Sequence, residues 1–136
     1  MKPGLRAGAT RTNRHEIGND RGFMAEGFRI YSTPSMVMDM EMTCHDLLGE
    51  YLADTESAVG ERVEMDYLAP TLEGMWVEVT ATVTGVAGRR VSFAAEIRDE
   101  LDVVGRATHV RFVVDLAKQL ERLKDRAAKL AQLKKG

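Results

Sequence analysis

The sequence predicts a single α+β domain in which an antiparallel sheet wraps one long helix. Residues 33–52 have the composition of a helix, and residues 59–114 then alternate between apolar and polar side chains with the period of strands. The turns between these strands are short, which favours antiparallel hairpins because a parallel pair needs a crossover of about a dozen residues or more. A sheet that buries one face around a single helix leaves its other face and an edge strand for a partner chain.

The predicted helix begins sharply and is apolar on all sides of its first half. Thr33 is predicted to be the N-cap, and Pro34 suits the first helical position, where a missing N–H costs nothing. The apolar residues of the first half are Met36, Val37, Met38, Met40 and Met42. This distribution predicts a buried helix. Glu41 lies within it, and a carboxylate in such a place needs a charged partner or a catalytic role.

The remaining elements follow from alternation and from turn residues. Residues 10–17 are predicted to form an edge strand, and residues 19–27 a mobile loop. Four alternating segments predict a meander of consecutive strands at residues 59–67, 75–83, 91–97 and 103–114.

A basic amphipathic helix at residues 117–136 is predicted to follow the main domain at residues 1–116. Its apolar residues recur at spacings of four and three, and residues 115–136 carry a net charge of +4, whereas residues 1–114 carry −6. We expect the helix to dock on its own protomer or on a neighbour. Contact with a membrane surface or a nucleic acid is the alternative, but the absence of interleaved aromatic residues argues against base stacking. Neither a nucleic acid nor a membrane is the expected partner.

Cysteine content and hydropathy indicate a cytoplasmic protein. Cys44 is the only cysteine, so an internal disulfide and a multi-cysteine metal site are excluded. No apolar run approaches the ~20 residues that cross a bilayer, and the N-terminus lacks the apolar block of a secretory signal. No metal site is expected.

Several motifs occur in an order that resembles a known family. Thr33-Pro34 is followed eight residues later by Glu41, residues 63–71 read VEMDYLAPT, and residues 105–111 read GRATHVR. Together these motifs resemble the hotdog-fold thioesterases, and they are most similar to the fluoroacetyl-CoA thioesterase group. The resemblance extends from the first residues to about Val114 and implies the hotdog fold.

The resemblance also implies a catalytic set at a dimer interface, composed of a threonine at the helix cap, a glutamate in the helix and a histidine on the next strand. Thr33 and Glu41 match two of these residues, but Tyr67 stands at the histidine position. By spacing, Gly60 corresponds to a glycine that helps to hold the thioester carbonyl. Met36 and Pro34 are the further residues expected to contact the substrate, although core filling is the alternative role of the methionines.

The implied activity is hydrolysis of an acyl-CoA, with coenzyme A entering as part of the substrate and no separate cofactor. The implied assembly is a homodimer or a tetramer. Tyr67 keeps a hydrogen-bond donor but supplies no base at neutral pH. His45, four residues after Glu41, and His109 on the last strand can replace the missing base, or they have structural roles. A non-hydrolytic acyl-thioester binding module and a dehydratase-like enzyme that uses Glu41 as base are the alternatives.

Overall fold

One long helix lies across a five-stranded antiparallel sheet in the computed structural model, which describes residues 1–136. The elements in chain order are β1 (Thr10–Glu16), a 3₁₀ turn (Asn19–Arg21), β2 (Gly22–Ala25), β3 (Phe28–Tyr31), α1 (Thr33–Gly49), β4 (Glu56–Tyr67), β5 (Trp76–Ala87), β6 (Arg90–Arg98), β7 (Val103–Asp115) and α2 (Leu116–Lys135). The α+β hotdog architecture predicted from the sequence is confirmed.

The start of α1 differs by one residue from the prediction. Ser32, not Thr33, is the N-cap, because its backbone is extended and its Oγ accepts a hydrogen bond of 3.2 Å from the Ser35 N–H. Thr33 and Pro34 therefore lie in the first helical turn. The helix ends at Gly49, three residues before the predicted end, where a glycine weakens the helical backbone.

The sheet is not a simple meander of consecutive strands, which corrects the prediction. Its order is β1-β5-β6-β7-β4, so β4 pairs with β7 and not with β5. The connection from Leu68 to Met75 carries the chain across the sheet, and β5 then pairs with β1 on one side and β6 on the other. The predicted N-terminal edge strand is confirmed in β1. The opposite edge is β4, whose outer backbone groups have no strand beside them.

The predicted mobile loop at residues 19–27 is wrong, since this segment holds the 3₁₀ turn and one strand of a hairpin. Strands β2 and β3 pair through a two-residue turn in which Glu26 and Gly27 both have positive φ, at 53° and 83°. Such a turn matches the twist of two antiparallel strands. This hairpin turn was not predicted from the sequence because glutamate rarely adopts a positive φ.

The sequence predicted a helix α1 that is buried on all sides, but one side of the helix is exposed. Met36 and Met40 are fully buried in the core, whereas Met38 and Met42 are 60% and 45% exposed. Helical spacing places these two exposed methionines on the same face as Glu41, and this face is turned toward β4. The helix thus leaves an apolar strip uncovered beside the free sheet edge.

Helix α2 does not dock on its own protomer. None of its residues is buried, and its leucines are all at least 45% exposed. The predicted docking on the same protomer is therefore wrong, and docking on a neighbour stays a prediction. Neither helix is long and apolar enough to cross a bilayer.

Candidate active site

Glu41 projects from the middle of α1 onto the backbone of Gly60 in β4. A Cβ atom added at Gly60 would lie 2.8 Å from Glu41 Oε2, so only glycine allows this approach without displacing the carboxylate. The Glu41 side chain keeps 34% of its surface exposed. A small molecule or a water molecule can therefore reach the carboxylate next to an open stretch of backbone.

Arg111 on β7 supplies the positive charge nearest to this carboxylate. Its Nη1 lies 3.7 Å from Glu41 Oε2, and only 8% of its side chain is exposed. Its Nη2 donates a hydrogen bond of 3.0 Å to the carbonyl of Ala58. Burial lowers the pKa of Arg111 and the negative charge of Glu41 opposes this effect, yet a guanidinium remains charged at neutral pH. Arg111 thus compensates the charge of Glu41 from the side of the sheet, and the other side of the carboxylate stays open.

His109 holds Arg111 in place. Its Nδ1 lies 2.7 Å from the carbonyl of Arg62, to which it can only donate, so its Nε2 accepts from Arg111 Nη1 at 3.2 Å. Burial is the main cause that lowers the pKa of His109, and the Arg111 charge adds to it. A neutral imidazole with both nitrogens engaged orients the arginine and is not free to serve as a base.

His45 completes the group around Arg111. Its Nδ1 lies 3.4 Å from Arg111 Nη2, one helical turn after Glu41. Neighbouring Cys44 is fully buried, and burial raises the pKa of its thiol to about 12, so it is a core residue and not a nucleophile. Both histidines proposed from the sequence thus lie beside Glu41, where they contact its arginine partner.

Tyr67 and Thr33 lie at the other end of α1. The Tyr67 hydroxyl donates a hydrogen bond of 3.1 Å to the carbonyl of Tyr31, directly before the helix cap, and burial raises the pKa of this phenol. Thr33 and Pro34 are exposed in the first helical turn. With a rise of 1.5 Å per residue, Thr33 is about 12 Å along the helix from Glu41. One protomer therefore does not bring Thr33 and Tyr67 together with Glu41 and Gly60.

The other predicted positions have clear locations. Met36 is fully buried and packs against Gly105, where an added Cβ would lie 2.5 Å from its Sδ, so core filling describes it. The predicted contact of Met36 with a substrate is not possible in this arrangement, because the side chain is buried. Asp66 lies on the outer face of the sheet, away from α1. No group of three or more histidine, cysteine or acidic side chains is placed to hold a metal ion.

The sequence prediction missed the role of Arg111, and one signal was available. Ala107, His109, Arg111 and Val113 alternate on the inner face of β7 and are all buried. A charged residue within such an inward series needs a partner of opposite charge. Glu41 is the carboxylate that meets this need.

The fold and this cluster define the class of the protein. An antiparallel sheet wrapped around one long helix is the arrangement of a hotdog domain. A hot-dog-like protein from Thermanaerovibrio acidaminovorans superposes with a TM-score of 0.83 at 25% identity, covering 92% of this chain and 93% of that one. A thioesterase superfamily member from Thermus thermophilus gives a TM-score of 0.82 at 27% identity, covering 95% and 99%. The chain is a hotdog-fold protein of the thioesterase class.

Sequence comparison narrows this class to one family. The family model of the fluoroacetyl-CoA-specific thioesterase matches residues 18–117. The fluoroacetyl-CoA thioesterase of Streptantibioticus cattleyicolor is 33% identical over an alignment of 128 residues, and the match covers 87% of this chain and 91% of that protein. The structure of the fluoroacetyl-CoA thioesterase FlK superposes with a TM-score of 0.82, covering 90% and 97% of the two chains. The chain belongs to the fluoroacetyl-CoA-specific thioesterase family.

Proposed function

We propose that this protein hydrolyses a short acyl-CoA thioester and that Glu41 is the reactive carboxylate. The observation that carries the proposal is the position of Glu41, which is partly exposed, faces Gly60 and has Arg111 behind it. Thioester hydrolysis requires a nucleophile or an activated water and a site for the carbonyl oxygen. The glycine leaves space for the carbonyl next to the carboxylate.

Glu41 can act by either of two routes that consume the same reactants. Its carboxylate attacks the carbonyl carbon directly, or it takes a proton from a water molecule that attacks that carbon. In the direct route the carbon–sulfur bond breaks as a mixed anhydride between the acyl group and Glu41 forms, and water then cleaves this anhydride to release the acid and the free carboxylate. In the base-catalysed route water adds to the carbonyl carbon, and the carbon–sulfur bond then breaks. In both routes the thiolate of coenzyme A takes up a proton that comes from the water. Arg111 and the histidines that contact it hold the carboxylate in place during these steps.

Thr33 and the start of α1 are proposed to bind the developing negative charge. Pro34 has no N–H, and Ser32 accepts from the N–H groups of Ser35 and Met36. The Thr33 N–H is therefore the donor of the first turn that remains for an anion. Thr33 stands exposed in that turn and adds a hydroxyl donor. Pro34 in the same turn is proposed to contact the substrate. Tyr67, with its hydroxyl donated to the Tyr31 carbonyl, positions this end of the site and does not replace the histidine as a base.

The separation of the two ends leads us to propose a homodimer. Strand β4 is 12 residues long and has a neighbour on one side only. The exposed strip of Met38 and Met42 on α1 lies beside that edge. Antiparallel pairing of β4 with its copy would cover both features and bring the Thr33 end of one protomer toward the Glu41 end of the other. Each site would then contain residues of both chains.

The names of the relatives suggest which acyl group the substrate carries. Variants of FlK have been solved with acetyl-CoA and with fluoroacetate and CoA. The relatives of the family carry fluoroacetyl-CoA in their name. We therefore propose a two-carbon acyl-CoA as the substrate, with coenzyme A as part of it and no further cofactor. A cytoplasmic location stays a prediction.

The hydrolase proposal is tested by thiol release from a panel of acetyl-, fluoroacetyl- and longer acyl-CoAs. Glu41→Gln should abolish turnover, whereas Glu96→Gln should not, because Glu96 forms an exposed pair with Arg106 on the outer face of the sheet. If several acyl-CoAs bind and none turns over, the protein is a binding module. If Glu41→Gln keeps full activity, the site is wrong.

The shared site is tested by mixing two inactive variants. Glu41→Gln and Thr33→Val homodimers are each defective, but a heterodimer of the two has one site with both defects and one with neither. After unfolding and refolding together, about half of the dimers are mixed, so about a quarter of the wild-type activity should return. If each site were built within a single protomer, mixing would restore nothing.

A further inference from the structure

A second buried carboxylate in α1 has no part in the cluster described above. Asp39 is two residues before Glu41, so the two side chains leave the helix on nearly opposite sides. Only 7% of the Asp39 side chain is exposed. A carboxylate that is buried to this extent requires donors that compensate its lost hydration.

The partners of Asp39 come from separate elements of the chain. The Tyr31 hydroxyl donates to Oδ2 at 2.6 Å, and Arg21 Nε donates to the same oxygen at 3.1 Å. His15 Nε2 lies 3.8 Å from Oδ1, and its Nδ1 is 3.2 Å from Arg21 Nη2. The carboxylate therefore joins β1, the 3₁₀ turn and the end of β3 to the helix.

Tyr31 connects this network to the Thr33 end of the site. The residue is fully buried, and its ring reaches Asp39 while its carbonyl accepts the hydroxyl of Tyr67. Its N–H donates to the carbonyl of Thr71, so the residue is fixed at three points. Ser32, the helix cap, follows it directly. A displacement of the Tyr31 ring that shifts its backbone would also shift the carbonyl that accepts from Tyr67.

Stability alone does not explain this arrangement. A buried ion pair replaced by apolar residues of similar volume is often as stable or more stable, because the desolvation of both charges is avoided. What the carboxylate adds is direction, since a short hydrogen bond to a charged acceptor fixes the Tyr31 ring in one orientation. The desolvation of Asp39 is therefore offset by a function if the orientation of Tyr31 and of the groups bonded to it matters.

We propose that Asp39 is a positioning residue that acts through Tyr31 on Tyr67 and so on the Thr33 end of the thioester site. The proposal rests on the proposed hydrolysis for its kinetic consequences only. Asp39 does not touch the substrate. It fixes the carbonyl of Tyr31, which fixes the hydroxyl of Tyr67.

The kinetic test uses Tyr31→Phe, which removes the bond to Asp39 and keeps the carbonyl that Tyr67 uses. We expect kcat to fall about tenfold and KM to change less than about twofold, because an ångström-scale displacement affects the reacting geometry more than binding. In a Tyr67→Phe background the same substitution should add less than about twofold. Val83→Ala is the control for a general loss of stability, and its Tm is to be compared with that of Tyr31→Phe. We expect it to leave kcat unchanged, because Val83 lies in the core near the C-terminal end of β5.

A second measurement does not depend on activity. The chain has three tyrosines, so a protein labelled at the tyrosine ¹³Cζ gives three NMR signals, which single substitutions assign. Asp39→Asn should shift the signal of Tyr67 as well as that of Tyr31, and it should leave Tyr51 in place.

The outcomes separate this proposal from the proposed function. If Glu41→Gln is inactive but Tyr31→Phe lowers kcat by the same factor with and without Tyr67, the positioning role is refuted and the hydrolase stands. If the wild type turns over no acyl-CoA, the NMR result decides the positioning role alone. An unchanged Tyr67 signal in Asp39→Asn would overturn it.

Discussion

Gly60→Ala tests the active-site geometry with the smallest possible change. The new Cβ would lie 2.8 Å from Glu41 Oε2, whereas ordinary contact begins near 3.4 Å, so the carboxylate must move by about 0.6 Å. The Cβ would also lie 3.3 Å from His109 Cε1 and 3.5 Å from Arg111 Nη1. These neighbours are held by hydrogen bonds, so the displacement falls on the flexible end of Glu41.

Activity and stability should respond differently to this substitution. A displacement approaching 1 Å of a reacting group costs about 10- to 100-fold in kcat. The free energy of unfolding should change by less than about 1 kcal/mol, because Gly60 does not have positive φ and alanine reduces the entropy of the unfolded chain. Gly85→Ala is the matched control, since a Cβ on that strand glycine meets nothing within 4 Å.

The assay is steady-state hydrolysis of the best acyl-CoA, with urea unfolding of the same samples. A kcat within about twofold of wild type in Gly60→Ala would refute the importance of the Glu41 position.

Three further predictions concern other parts of the molecule. Gly105→Ala should destabilise the fold by about 1–3 kcal/mol through overpacking against Met36, as urea unfolding would show, and Met36→Ala should reduce this penalty. Stability should fall as the pH drops from 6.5 toward the folded pKa of His109, by at most about 1.4 kcal/mol per pH unit, because burial lowers that pKa and the unfolded chain then binds the extra proton. Unfolding of His109→Gln between pH 7.5 and 5 should lack this slope, and an equal slope in both proteins would contradict the assignment. Arg111→Lys should lower kcat at least about tenfold, because lysine lacks the planar fork that contacts Glu41 and a carbonyl together; the exposed Arg106→Lys is its kinetic control, and equal rates in the two variants would exclude a role for Arg111.

The sequence predicts the elements of this fold better than their pairing. Alternation along residues 91–97 predicted β6 because each buried position is visible in the local sequence. Alternation does not say which strand lies beside which, and the pairing of β4 with β7 depends on the path of residues 68–75. Likewise Ser32 and Thr33 are both good caps by composition, and the extended backbone of Ser32 decides between them.

The site could be predicted only where its residues share a local pattern or a family motif. Glu41 was conspicuous as a charge within apolar residues, and Gly60 followed from spacing. Asp39 lies in the same segment, but its partner Arg21 comes from a segment expected to be a mobile loop, and Tyr31 comes from the short segment between that loop and the helix. A buried network of this kind depends on tertiary contacts that the separate segments do not reveal.

The substitution of tyrosine for the family histidine has a different meaning once the contacts are known. A histidine at residue 67 would offer a second base, but the Tyr67 hydroxyl is donated to the Tyr31 carbonyl. The groups able to carry charge are instead concentrated around Glu41, where Arg111 contacts both His45 and His109. In the mechanism proposed above, proton transfer therefore falls to Glu41, and the Tyr67 end has the roles of binding and orientation. On this proposal, a site built with Tyr67 depends on the exact position of one carboxylate.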